Sequence, residues 1–220
     1  SSLRKQARCD MIVTAEIRNR DKSAGFVKIS KFENGRVNRM TLSPEDAQLF
    51  YHLWLPLLDF TNRKYHINPR LKKITKASEL HPADAKEIAN KLWENVTIID
   101  AYLKGAPDLP KEHQAIIRGW KRRIYGRFIV ERHLKKGSIF ISVENEKIYQ
   151  VSGIISTWEE MFSGLPLPLL VDAVLIPFLG VIISDGLVAS YNLVIGKNMR
   201  QSFKELYMAA KKGGRIHRSL

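Results

Sequence analysis

The chain has 220 residues, 45% of them hydrophobic, and a formal net charge of +14 at neutral pH. That is enough for one generous domain or two small ones, each with its own core, and the composition excludes global disorder. The single cysteine, Cys9, excludes an intramolecular disulfide and a cysteine-based metal site within one chain, and fits a reducing, cytoplasmic setting.

The chain opens Ser-Ser, which reads as a fragment, and Arg4, Lys5 and Arg8 are followed by no apolar run, so no signal peptide is expected. Residues 1–42 form a basic N-terminal segment. Met11, Val13, Ala15 and Ile17 alternate as a half-buried strand does, Val27 and Ile29 alternate again, and Asn34-Gly35 is a turn signal. Short strands are expected there.

Residues 43–122 read as a helical region. Ser43-Pro44-Glu45-Asp46 is a helix start, with a capping serine, proline at the first helical position and acids at the positive end of the dipole. A stripe of Leu49, Phe50, Leu53, Trp54, Leu57, Leu58 and Phe60 follows, and Pro56 is expected to kink or break it. A second helix is expected over residues 82–103, where Ile88, Leu92, Val96, Ile99 and Leu103 recur at spacings of three and four. Residues 105–110 read as a linker or inter-subdomain loop. Pro110 opens a third helix with Ile116, Ile117 and Trp120 on one side.

Residues 123–220 read as a β-rich region closed by a helix; 43–220 is compatible with one domain. Phe128 and Val130, then Ile139, Ile141 and Val143, then residues 148–155 suggest a β-meander. Ser156-Thr157-Trp158-Glu159 reads as a capping box with Ser156 at the cap. Strands follow over residues 169–176, 180–183 and 187–195, with Asp185-Gly186 as a tight hairpin turn. The apolar stretch 165–183 holds Asp172 and three prolines, which argues against a membrane helix, and no membrane partner is expected. A last amphipathic helix spans residues 198–211, with Met199, Phe203, Leu206, Tyr207 and Ala210 on its apolar side, and a basic tail follows. Helices first and strands afterwards give an α+β fold: an N-terminal helical layer, a mostly antiparallel sheet and a closing C-terminal helix.

Charge is unevenly spread. Residues 111–136 carry nine Lys/Arg against two acids, whereas residues 137–196 carry one Lys against six acids. The basic block points to an anionic partner: nucleic acid or another polyanion, or an acidic protein. The candidate nucleic-acid contacts are Arg118, Lys121, Arg122, Arg123 and Arg127, which would neutralise phosphates, with Trp120 or Tyr125 as a stacking partner. The same residues also read as a solvated helix end with Trp120 in the core. The tail from Lys211 to Arg218 reads as an electrostatic arm or a loose end.

No phosphate-binding glycine loop, GxSxG or HExxH is present, so no catalytic motif, metal site or cofactor is expected. His113 with Glu112, or His133 with Glu131, would ligate a metal only if the fold brought them together. Asp172, inside an apolar strand, must be paired, hydrogen-bonded or on an open face. Residues 165–170 are a candidate docking strip for a protein partner or a second copy. An enzyme would need a cleft placing Asp172 or Asp185 near a histidine.

The segments GRFIVERHLKKG (residues 126–137) and ISDGLVASYN (residues 183–192) resemble parts of a bacterial protein family with no assigned activity. The similar stretch runs from about residue 43 to the end. The resemblance implies a bacterial cytoplasmic protein and supplies no site residues.

Overall fold

The computed structural model describes residues 9–11 and 40–220 of the chain. Of the strands and the Asn34-Gly35 turn expected before residue 40, only Cys9–Met11 (β1) falls within them; the rest lies outside the described residues.

Helix α1 (Pro44–Tyr65) begins where Ser43 caps it: the serine hydroxyl accepts the Asp46 N–H at 3.1 Å. It continues without a break through Pro56, which faces outward, while Leu53, Trp54, Leu57 and Leu58 are buried. Burial of that face holds the turn that proline alone would open. The single helix expected over residues 82–103 is two, α2 (Pro82–Glu94) and α3 (Thr97–Lys104). Asn95 divides them. Its Oδ1 accepts both the Thr97 N–H at 3.2 Å and the Thr97 hydroxyl at 2.6 Å, so a local side-chain bond competes with helix continuation. Helix α4 (Lys111–Gly119) runs into a 3₁₀ turn, Trp120–Arg122. The loop between α3 and α4 joins two parts of one layer, because Leu103 and Ile117 on either side of it belong to one buried cluster.

The meander expected after Gly126 is present as β2 (Ile124–Leu134), β3 (Gly137–Ser142) and β4 (Ile148–Ser152). The capping box lies one residue later than the sequence suggested: Thr157 caps the short helix α5 (Trp158–Met161), and its N–H and hydroxyl exchange bonds with Glu160. Strands β5 (Leu169–Phe178), β6 (Val181–Ser184) and β7 (Ala189–Tyr191) follow, then α6 (Lys197–Lys212) and β8 (Ile216–His217).

Asp185-Gly186 does not close a hairpin. Both β6 and β7 pair with β5, so the dipeptide is a corner between two strands that share one neighbour. The tight turn in this region is Leu179-Gly180, with φ of 45° and 83°, joining β5 to β6.

The sheet closes on itself. β5 pairs with β2, β2 with β3, β3 with β4, β4 with β6 and β6 again with β5; β7 pairs in addition with β5, β8 with β4, and β1 with β7. Among the described strand pairs, β4–β6 and β4–β8 are parallel and the others antiparallel. Strand alternation then sorts side chains into three sets. Phe128, Val130, Phe140, Val151, Val171, Leu175 and Ile182 fill the ring, together with Trp158 of α5, whose ring centroid lies 5.0 Å from that of Phe140. Val174, Ile176, Phe178 and Ile183 face outward and share a core with α1 to α4. Ile129, Ile139, Ile141 and Ile148 face the other way and pack on Tyr207 and Ala210 of α6. The fold is thus α+β: a helical layer, a mostly antiparallel sheet and a closing C-terminal helix. Among the described residues no helix is long and apolar enough to cross a membrane.

Candidate functional site

The basic block folds into several unrelated environments. Arg118, on α4, is exposed, and so is Arg122, whose guanidinium lies near Gly119. Trp120 is 0% exposed: its ring packs 5.8 Å from Trp54 and 5.9 Å from Phe50, so it offers no face to a base. Lys121 pairs with Asp100 at 2.6 Å. Arg123 turns inward and its Nε donates to the Trp93 carbonyl at 2.9 Å; burial lowers its pKa from the ordinary arginine value. Tyr125 is 61% exposed on the outer side of β2. Arg127 is exposed on the same side, directly across the sheet from Asp172, and its N–H is bound to Glu144 Oε1 at 3.2 Å. Of the candidate contacts, Arg118, Arg122, Tyr125 and Arg127 therefore reach solvent; Trp120 and Arg123 serve the interior.

A cationic surface that sequence reasoning passed over lies on α6. Lys197, Arg200, Lys204 and Lys211 fall within about 60° of one another around the helix axis and span about 21 Å along it. All four are exposed, and none is ion-paired among the described residues. The nearest acid in sequence, Glu205, accepts from Gln201 Nε2 at 2.6 Å. The signal was available: spacings of three, four and seven residues place like charges on one helix face as surely as they place apolar ones. The basic tail beyond α6 is neither an arm nor a loose end. Ile216 and His217 pair with β4, His217 stacks on Tyr149, and Arg218 bonds to Gln150.

The carboxylates and histidines are placed as follows. Asp172 is half-buried on the outer face of β5, where it accepts the Tyr191 hydroxyl. His133 Nδ1 lies 2.7 Å from Ser138 Oγ, and the His52 and His113 rings are 6.3 Å apart. Among the described residues no group of three or more His, Cys, Asp or Glu is arranged to hold a metal ion.

Asp185 is 3% exposed, as is Asp59, but Asp59 is ion-paired with Arg63 at 2.6 Å, whereas no ion pair to Asp185 is found among the described residues. Asp185 ties the barrel corner to α2: Trp93 Nε1 donates to its Oδ2 at 2.7 Å, and the Leu187 N–H and Ser184 hydroxyl donate to Oδ1 at 3.0 and 3.3 Å. Lys86 Nζ sits alongside, donating to the Leu187 carbonyl at 2.6 Å. Burial pushes the Asp185 carboxyl up from the ordinary aspartate range, against the pull of the Lys86 charge and of its three hydrogen bonds. A carboxyl raised in the folded state contributes stability that is complete below the ordinary aspartate value and fades as pH rises through the folded one. Thermal unfolding from acid to neutral pH is expected to show the native protein losing ground against Asp185→Asn as pH rises; a gap that does not vary with pH would contradict this.

Comparison with protein-family models, with curated proteins and with solved structures finds no match to this chain.

Proposed function

We propose that the protein binds nucleic acid through its phosphate backbone, without strong sequence readout, using α6 as the principal contact face. The observation that carries this reading is the row of Lys197, Arg200, Lys204 and Lys211, exposed and without ion pairs among the described residues. Cations in a row about 21 Å long match a polyanion that carries one charge per ~1.7 Å of duplex axis, and their contacts release counterions. The surplus of +14 adds long-range attraction. Arg118, Arg122 and Arg127 with Tyr125 form a secondary basic surface on this reading. It sets the protein in the cytoplasm, where its lone thiol stays reduced.

The test is binding of labelled single- and double-stranded DNA and RNA across a salt series. Affinity in the micromolar range at low salt is expected, falling steeply with added salt and differing little between sequences. No binding at low salt would sink the proposal.

A second reading is an acidic protein partner or a second copy of the chain. It is favoured by Val194, 92% exposed, and Leu193, 53% exposed, which sit just before the cationic helix. The strip at 165–170 supports it less, because Leu169 is buried and Leu167 packs on the barrel interior. A monomeric solution mass with tight nucleic-acid binding decides against this second reading.

A further inference from the structure

The side of α1 turned away from the barrel is not a plain solvent face. Gln48, His52, Asp59 and Arg63 recur along it at spacings of four and seven, which places them on one stripe of the helix. That stripe floors a groove of about 670 Å³, walled by residues 73–75 on one side and by the end of α3 on the other. Sites for small molecules occupy roughly 300–1,000 Å³.

The charges in the groove are unequal. The acid on its wall is Asp59, buried and with both oxygens engaged: Oδ2 lies 2.6 Å from Arg63 Nη2, and Oδ1 accepts the Ile74 N–H at 2.9 Å. It has little left to offer a ligand. Arg63 is different. Its side chain is 65% exposed, and one contact to Asp59 leaves most of its five N–H donors free for a second partner. Lys73, exposed at the rim, has no ion pair among the described residues. The tyrosines on the wall add no negative charge, because burial pushes the Tyr51 and Tyr102 hydroxyls above the ordinary tyrosine value and keeps them protonated. A cation would therefore find no free countercharge, whereas an anion finds a guanidinium already fixed by Asp59 and a lysine opposite. The rest of the wall is apolar. The Phe60 and Tyr102 rings meet edge to face at 5.5 Å, beside buried Leu55 and Ile74.

We infer that this groove binds an organic acid with a planar ring: the guanidinium of Arg63 and the ammonium of Lys73 take its carboxylate, and the Phe60–Tyr102 wall takes its ring. The fork of an arginine matches a carboxylate, and Asp59 holds that fork in place in advance. The groove lies in the helical layer on one outer face of the barrel, whereas α6 packs on the other, so the inference is independent of the nucleic-acid reading.

The test is an NMR titration of the intact protein with benzoate, with benzamide, its uncharged counterpart of the same shape, and with acetate, which lacks the ring. Gly105 and Ala106 line the groove, so their backbone N–H signals report on it and not on α6. Benzoate is expected to move both signals saturably, with an affinity of about millimolar for so small a ligand. Benzamide and acetate are each expected to bind at least about tenfold more weakly. Lys73→Glu is expected to weaken benzoate about fivefold, while Lys72→Glu, the same charge change at an exposed neighbour outside the groove, leaves it nearly unchanged. Neither lysine is buried, so both variants keep the fold. No saturable shift at Gly105 and Ala106, equal affinity for benzoate and benzamide, equal affinity for benzoate and acetate, or equal affinity of benzoate for the two variants would each overturn the inference.

Discussion

Trp120→Ala is expected to destabilise the protein by about 3–5 kcal/mol, a large share of the roughly 5–15 kcal/mol that holds a typical domain. The indole is fully buried where α4 turns into β2, in contact with Phe50 and Trp54, so truncation leaves a cavity at the junction of the helical layer and the barrel. Denaturant unfolding should show a lower midpoint with an unchanged slope. Trp120→Phe should cost far less, because it keeps most of the volume and removes an indole N–H that is buried without a partner. Nucleic-acid affinity of the folded fraction should not change in either variant. A destabilisation below about 1 kcal/mol for Trp120→Ala would contradict its core placement.

This tryptophan also marks where the sequence stops being informative. Helices followed by strands were legible because the apolar period switches from about 3.6 to 2, and that period reports burial directly. Adjacency in a charged run reports much less. One 3₁₀ turn sends Trp120 into the core, leaves Arg122 in solvent and aims Arg123 at the carbonyl of Trp93, thirty positions earlier in the chain. The local helical period did offer a core place for Trp120 beside Ile116 and Ile117, but the partners themselves are not local, so no window around Arg118–Arg127 identifies them or separates Arg122 from Arg123. Asp185-Gly186 fails for a related reason. Its turn chemistry is real, with Gly186 at φ 82°, but whether the flanking strands pair depends on β5, which takes both of them as neighbours. The Asn95 break was readable in principle, since asparagine competes with the helix for its own backbone; the long apolar periodicity across it hid the signal. The α6 cations were fully legible and were missed because charge was weighed along the chain instead of around the helix.

Reversing that row should have the largest functional effect. The triple variant Lys197→Glu, Lys204→Glu and Lys211→Glu spares Arg200, whose Nε donates to the Ile195 carbonyl at the start of α6. Each phosphate contact contributes about 0.9 to the slope of log affinity against log salt, so losing three should flatten it by about 2.7 and lower affinity at moderate salt by a factor of a hundred or more. Three reversals also take the net charge from +14 to +8, which weakens attraction to any polyanion regardless of contact. A matched variant separates the two effects. Lys72→Glu, Lys104→Glu and Lys111→Glu change exposed residues of the helical region by the same total charge. Diffuse attraction predicts equal losses in both triples. Contact through α6 predicts that only the first flattens the salt slope, because counterion release counts phosphates actually touched, whereas the long-range field counts only charge. If both variants lose affinity equally, α6 is not the contact face, whatever its geometry.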